Sequence, residues 1–168
     1  TNYLNDIGSL RIGSGIIYKR NIILKNGDLG DLDEITNPND IDMFEYFVIT
    51  NRHIIVNNKN LGIYYQENLA EINAELIQYD DKEDIAVLKF SSRLYFPIAK
   101  FADKVEIGDF VIAIGHSQGY EYFRSATFGI VSHPERYLST DTDNDNLNDW
   151  DAQYIQHDEY IGHPNHLN

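Results

Sequence analysis

Short apolar or alternating runs recur along the chain, and this recurrence constrains the fold more than any other feature of the sequence. Between the runs lie turn-forming pieces, such as Lys-Asn-Gly-Asp at 25–28, in which Gly and Asn supply backbone angles that strands do not allow. This spacing is typical of β-sandwiches and β-barrels, so the sequence predicts an all-β fold. The predicted strands cover residues 9–18, 46–50, 62–66, 74–79, 85–90, 110–114, 125–132 and 154–156.

The predicted fold is a single domain, residues 1–168, with two halves at 1–92 and 93–168. Pro97 interrupts an otherwise apolar run near the expected seam, and proline is not tolerated inside a central strand. Residues 67–75 are the only segment that resembles a helix. They lack a clean apolar stripe, so they are predicted as a strand and a turn.

Charge and cysteine content exclude several classes of function. The 168 residues include 13 Lys and Arg against 27 Asp and Glu, a formal net charge of −14. Such a surface repels phosphate backbones and anionic lipids, so nucleic acid and membrane surfaces are poor candidate partners. The absence of cysteine excludes a disulfide, a thiolate nucleophile and a sulfur metal site. No apolar run is long enough for membrane insertion, and the compartment is left open.

Two side chains with catalytic chemistry lie at the ends of predicted strands. His53 follows the buried-looking run 47–50, a position from which a rigid scaffold presents a general base. Asp84 directly precedes the apolar run 85–90, where a buried carboxylate orients an imidazole and fixes its tautomer. Taken singly, each has an ordinary alternative, because a lone histidine is more often a structural group and Asp84 lies in an acidic turn.

These two positions belong to a set of motifs that resembles the HtrA/Deg branch of the chymotrypsin family of serine peptidases. Each motif alone is weak, but they follow the family's order at close to its spacing and extend over nearly the whole chain. They are Gly-Ser-Gly-Ile-Ile at 13–17, Thr-Asn-Arg-His-Ile-Ile at 50–55, Asp84 with its strand, Ile-Gly-Asp-Phe-Val-Ile-Ala-Ile-Gly at 107–115, Ser-Ala-Thr-Phe-Gly-Ile-Val-Ser at 125–132 and Ile-Gln-His-Asp at 155–158.

The resemblance implies the trypsin fold of two antiparallel β-barrels with the active site between them, here a first barrel at 1–92 and a second at 93–168. It implies that His53 is the general base and that Asp84 orients it, acting on peptide bonds of extended or unfolded polypeptides. The chemistry requires no cofactor and no metal. The implied partner is a polypeptide substrate or a protein partner, and homo-oligomer formation is left open.

The sequence departs from the family at the position of the nucleophile. In the family a Pro-Gly-Asn-Ser-Gly-Gly stretch follows the last motif, whereas here residues 162–168 read Gly-His-Pro-Asn-His-Leu-Asn. His166 aligns with the serine, and an imidazole there forms no acyl ester. Pro164 aligns with a residue whose backbone N–H lines the oxyanion hole, and proline has no N–H. We therefore expect the chain as written to be inactive as a serine peptidase.

Two functions stay open at the level of sequence. One is a serine endopeptidase domain, a hydrolase, whose nucleophile position is altered; the other is a pseudopeptidase or binding module that captures an extended peptide by strand addition. The strands that follow the serine in the family are also missing, so the second barrel is expected to be incomplete at the C-terminus. The sequence does not distinguish a fragment from a degenerate relative.

A rival motif for nucleophilic catalysis is Gly-His-Ser-Gln-Gly at 115–119. It matches the nucleophile elbow of α/β-hydrolases, with Ser117 as the nucleophile. That elbow must be followed by a helix, whereas the residues after 119 are strand-like and aromatic. We expect Ser117 not to be catalytic.

Two further patterns resemble metal sites. Residues 141–149 space their aspartates as a calcium loop does, but Asn146 and Ala152 replace the glycine and the bidentate acid of such a loop, so a solvated acidic loop is the simpler interpretation. His157, His163 and His166 could gather zinc, but Pro164 disfavours a helix that would align the last two. No metal site is predicted.

Overall fold

The computed structural model of the protein describes residues 12–31, 35, 37–56, 60–65, 71–115, 125–141 and 148–158. Nearly all of the regular structure in these residues is β-strand, arranged in two antiparallel sheets. The all-β prediction is confirmed, and every strand predicted from the apolar runs overlaps an observed strand. Among the described strands, no pair closes either sheet into a barrel.

The first sheet has six strands in the order β2-β1-β3-β6-β5-β4, so β3 and β6 lie at its centre. A short 3-10 turn, Pro38–Asp40, leads into β3. A single helical turn, α1 (Arg52–Ile55), follows β3. The six strands are β1 (Gly15–Leu24), β2 (Leu29–Gly30), β3 (Ile41–Asn51), β4 (Leu61–Tyr64), β5 (Glu71–Asp80) and β6 (Ile85–Ser92).

The second sheet has three strands in the order β7-β8-β9. The strands are β7 (Phe110–Gly115), β8 (Ser125–Thr140) and β9 (Trp150–His157). Val131 on β8 and Ala152 on β9 are buried, whereas alternate positions on β7 carry large apolar side chains that are mostly exposed. This sheet therefore packs less apolar surface within the described residues than the first sheet does.

The described chain divides into two compact units, one around each sheet. The first unit comprises Gly15–Asp80 and Ile85–Lys100. The second comprises Ile12–Ser14, Asp81–Asp84 and the described residues from Phe101 onward. The turn that carries Asp84 therefore belongs to the second unit, although both strands that flank it belong to the first.

The core of the first unit is made by strict alternation on its two central strands. Tyr46 pairs in register with Phe90, and Val48 pairs with Leu88. Alternate side chains of a strand point to the same face, so these residues form one continuous apolar layer. The buried set is Ile22, Phe44, Tyr46, Val48, Ile55, Ala86, Leu88 and Phe90.

Tyr46 is fully buried and links β3 to the segment that follows β6. Its hydroxyl donates to the Leu94 carbonyl at 2.9 Å and accepts the Phe96 backbone N–H, also at 2.9 Å. Its ring stacks on Phe90, with 5.1 Å between ring centroids. The Leu94 carbonyl and the Phe96 N–H thus share one side-chain partner, and this tyrosine fixes where the chain leaves the first sheet.

Lys89 forms a cross-strand charge cluster on β6. Its Nζ lies 3.4 Å from a carboxylate oxygen of Glu45 on β3 and 3.4 Å from one of Glu75 on β5. Hydrogen bonding and attraction to Glu45, and then to Glu75, raise the pKa of Lys89 above its ordinary value. The cluster thus connects three adjacent strands through opposite charges.

Some elements were not foreseen from the sequence. The helical turn α1 lies where only the end of a strand is expected, and it forms because the Val56 N–H donates to the Arg52 carbonyl at 3.1 Å while Ile55 enters the core. Strand β3 begins at Ile41, earlier than predicted. Strand β5 begins at Glu71, in agreement with the strand prediction for the later part of 67–75. No helix in the described part of the chain is long and apolar enough to cross a membrane.

We expect Tyr46→Phe to lower the free energy of unfolding by about 1–3 kcal/mol, because the Leu94 carbonyl and the Phe96 N–H then lose their shared partner. Chemical denaturation measures this change. The matched control is Tyr95→Phe, since Tyr95 is 62% exposed and is expected to change stability by less than about 0.5 kcal/mol. Equal losses in the two variants would show that the Tyr46 hydroxyl is not a structural link.

We expect Lys89→Met to be less stable than the wild type at neutral pH, with the difference disappearing at high pH. A lysine whose pKa is raised on folding stabilises the protein below its unfolded pKa, and this contribution is lost as the pH rises through the folded value. Unfolding midpoints of both proteins between neutral pH and about pH 11 measure the effect. A difference that stays constant over this range would contradict the charge cluster as its cause.

Candidate active site

His53 is presented at the surface by the helical turn α1. Its neighbour Ile55 is buried and anchors the turn, whereas the imidazole is exposed. Arg52 places its guanidinium 4.6 Å from the centroid of the Tyr79 ring on β5. Contacts on both sides of His53 therefore fix the backbone that carries it, and its side chain is exposed to solvent.

Asp84 is the last residue of the turn before β6 and is only 6% exposed. It is the only buried charged side chain in the described part of the chain. Its φ of 52° lies in the left-handed region, which is sparsely populated by residues other than glycine but tolerated by Asp and Asn. The burial that the sequence predicts for Asp84 is therefore observed. Residues held in sparsely populated backbone conformations cluster at functional sites.

The register of the two central strands places the end of β3 beside the start of β6 in the first sheet, and His53 and Asp84 lie close to these strand ends in the sequence. Asn51, the last residue of β3, pairs with Ile85, the first residue of β6. His53 follows Asn51 by two residues, and Asp84 precedes Ile85 by one. The residues themselves belong to different units, His53 to the first and Asp84 to the second.

Hydrogen bonds within the second unit hold the turn of Asp84 against the start of β9. The Asp151 N–H donates to the Lys82 carbonyl at 3.0 Å, and the Lys82 ammonium donates to the Asn148 carbonyl. Further along β9, burial raises the pKa of Tyr154, and the negative charges of Asp84 and Glu83 raise it further. The raised pKa favours the protonated form of the Tyr154 phenol.

Three of the motifs that carry the family resemblance lie next to one another in the second sheet. The segment 107–115 joins β8 through the Gly108 N–H to the Val131 carbonyl, and the Val131 N–H donates back to the Asp109 carbonyl, each at 2.9 Å. At the end of β9, Asp158 accepts the Ile130 N–H at 2.7 Å. The motifs at 107–115, 125–132 and 155–158 are thus neighbouring parts of one sheet.

The predicted nucleophile position and its surroundings lie outside the described residues. This applies to His166 and Pro164, to Ser117, and to the aspartates at 143 and 145 of the calcium-like loop. Of the three histidines considered for zinc, only His157 is described. Among the described residues, no group of three or more His, Cys, Asp or Glu is arranged to hold a metal ion.

Comparison with known proteins identifies the family of the chain. A sequence model of the family described as "Trypsin-like peptidase domain" matches residues 35–163. Serine protease Do-like HtrA of Lactococcus lactis subsp. lactis is 32% identical over 134 residues, which cover 79% of this chain and 28% of that protein. The probable periplasmic serine endoprotease DegP-like of Rickettsia prowazekii is 36% identical over 151 residues, covering 83% and 28%.

A solved structure shares the fold. The apo form of the MamO protease domain from Magnetospirillum magneticum superposes with a TM-score of 0.50 at 15% sequence identity, over 69% of this chain and 59% of that chain. An identity this low supports the fold alone.

The two antiparallel β sheets are consistent with the fold of a trypsin-type peptidase domain. The chain belongs to the trypsin-like peptidase domain family, and the two relatives named above are HtrA and DegP-like serine proteases. The resemblance found in the sequence motifs is confirmed. The chain spans about a quarter of the length of the curated relatives it matches.

We expect Asp84→Ala to be less stable than Asp84→Gly by about 1 kcal/mol, because only alanine carries a Cβ into the left-handed backbone conformation. Both variants lose the carboxylate, so the comparison isolates the backbone. At Asn73, on the extended strand β5, the same pair of substitutions should give the opposite order, with glycine less stable. Thermal and chemical unfolding of the four variants measure both differences, and the same order at both positions would contradict the strain at Asp84.

Proposed function

We propose that this chain supplies the histidine and aspartate of an HtrA-type endopeptidase site that acts on extended polypeptides. His53 is the general base and Asp84 is the residue that orients it. The observation that carries the proposal is the burial of Asp84 in the turn before β6, opposite the strand end from which His53 follows. The printed names of the relatives, serine proteases and endoproteases, support the class of reaction.

In this proposal the two residues divide the work of proton transfer. Where the family's serine is present, the imidazole of His53 accepts the proton of the attacking hydroxyl and returns it to the leaving amine. The carboxylate of Asp84 fixes the imidazole tautomer and stabilises the imidazolium that forms. Burial of Asp84 supports this role, since low solvent access strengthens the interaction between a carboxylate and a cation.

In this proposal the chain lacks the nucleophilic serine of the family. His166 occupies the aligned serine position, and Pro164 removes a backbone donor from the oxyanion hole. The loss of one such donor typically lowers turnover by about 10²–10³-fold. The chain as written is therefore proposed to form no acyl enzyme, and the match to the family, which ends at residue 163, does not reach either position.

A second candidate function is capture of an extended peptide without cleavage. The specific observation in its favour is β7, which lies at one edge of the second sheet as described and exposes Phe110, Ile112 and Ile114 on alternate positions. An edge strand offers backbone donors and acceptors to an added strand, and apolar side chains along it give the added strand a surface to contact.

We expect a fluorophosphonate probe not to label the wild-type chain, because no serine is proposed to lie beside His53. His166→Ser should introduce slow labelling, and the double variant Pro164→Gly/His166→Ser should label faster by about 10²-fold, since the second change restores a donor N–H. Labelling is followed by intact-protein mass spectrometry, with folding of each variant checked by circular dichroism.

The controls in this experiment are His53→Ala and Asp84→Ala, each made in the double-variant background. Loss of labelling in both supports the assigned roles. Labelling of the wild type that disappears when His53→Ala is made in the wild-type background would show that another serine completes the site, and the proposed defect would be wrong. Labelling that survives His53→Ala would contradict His53 as the general base.

A further inference from the structure

The contact between Arg52 and Tyr79 joins the helical turn α1 to a strand that is not its neighbour in the sheet. The Arg52 guanidinium lies 4.6 Å from the centroid of the Tyr79 ring. Arg52 directly follows β3, and the sheet order places β6 between β3 and β5. Thr50 on β3 and Tyr79 on β5 both pair with Ala86 on β6. The Arg52 side chain therefore reaches across a whole strand to meet the ring.

The residue type at position 52 suits a contact of this length. Neighbouring strands lie about 4.8 Å apart, so the two side chains together have to cross roughly 10 Å between β3 and β5. Arginine has a long side chain, and its planar guanidinium stacks on an aromatic face, which the compact ammonium of lysine does not do. An arginine beside β3 and a tyrosine on β5 thus supply both the reach and the stacking geometry.

The pair lies at the surface of the first unit and holds one end of α1. Tyr79 is 50% exposed and does not belong to the buried core of the described residues. The other end of α1 is anchored by the buried Ile55, and the Val56 N–H closes the turn on the Arg52 carbonyl at 3.1 Å. His53 lies between these two anchors, directly after Arg52 in the chain.

We propose that Arg52 and Tyr79 are positioning residues for His53. The stacked guanidinium and ring hold the first residue of α1, and the turn then presents the imidazole in one orientation. A general base has to lie within hydrogen-bond reach of the proton that it accepts, so a small displacement of its backbone lowers its efficiency. This role rests on the proposed function, in which His53 is the general base.

The first test measures how firmly α1 is held, through hydrogen exchange of the Val56 amide that closes the turn. Arg52→Met and Tyr79→Leu should each speed this exchange by about two- to fivefold, the effect of an exposed cation–π contact on a local opening equilibrium. The double variant should exchange no faster than either single variant, because both changes remove the same contact. Tyr79→Phe keeps the ring and should exchange at the wild-type rate. Unchanged exchange in Arg52→Met and Tyr79→Leu overturns the proposal.

Two controls separate a local effect from general destabilisation. The Val48 amide on the central strand β3 reports wider unfolding, and its exchange should change less than that of Val56. Lys19→Met removes another cation–π contact of the first sheet, in which the Lys19 ammonium lies 5.1 Å from the centroid of the Phe47 ring, and should leave Val56 exchange unchanged. Equal acceleration at Val48 and Val56 would contradict a local role for the pair.

The second test follows the imidazole itself. His53 should populate one χ1 rotamer in the wild type and in Tyr79→Phe, and several rotamers in Arg52→Met and Tyr79→Leu, as measured by three-bond NMR couplings. This measurement distinguishes positioning from a contact that only stabilises the turn. Faster exchange at Val56 with an unchanged His53 rotamer would show that the contact is structural, and the proposal would be wrong.

Labelling by the fluorophosphonate probe separates failure of this inference from failure of the proposed function. In the Pro164→Gly/His166→Ser background, Arg52→Met should slow labelling by about two- to fivefold, in line with the exchange rates, and His53→Ala should abolish it. If His53→Ala abolishes labelling but Arg52→Met does not slow it, the inference is wrong and the proposed function stands. If labelling survives His53→Ala, the proposed function fails, and the role of Arg52 and Tyr79 fails with it.

Discussion

The antiparallel pairing of β3 with β6 is the interaction on which the rest of the structure depends. These strands are the centre of the six-stranded sheet, and their inward faces supply most of the first core, including the stacked pair Tyr46 and Phe90. A shift of one residue in this register would turn every buried side chain towards the other face of the sheet. The same register pairs Asn51 with Ile85, so the packing that stabilises the sheet also sets the strand ends beside which His53 and Asp84 lie.

Burial and exposure are distributed so that each candidate residue has the environment its proposed role requires. His53 is exposed on a turn that a buried isoleucine anchors, and Asp84 is buried on a left-handed turn. The stability that the β3–β6 core provides offsets the cost of holding a carboxylate in this conformation. Tyr46 contributes to the same unit, because its hydroxyl bonds the Leu94 carbonyl and the Phe96 N–H and so fixes the segment that follows β6.

Much of the fold was predictable because its signal is local. Alternating apolar residues identify β3 and β6, and the ordered set of motifs that includes the one around His53 identifies the family without any structure. The helical turn α1 was not predictable, since four residues carry no periodic pattern and the turn forms only because Ile55 has a core to enter. The start of β3 at Ile41 was missed for a related reason: Asp42 lies in an acidic stretch that resembles a loop, and its pairing with Arg93 at 3.2 Å depends on chain segments distant in sequence.

The sequence by itself determined the family, the all-β class and the choice of His53 and Asp84 as candidate residues. Motif order and strand periodicity depend on residues that are close together in the sequence. The histidine at position 166 is also read from the sequence, and its alignment with the serine of the family stays a prediction. Tertiary structure decided what depends on residues far apart in the chain: the burial of Asp84, the cluster around Lys89, and the enclosure of the Tyr154 hydroxyl. Solvent access and electrostatic environment are properties of packing, so no pattern of neighbouring residues specifies them.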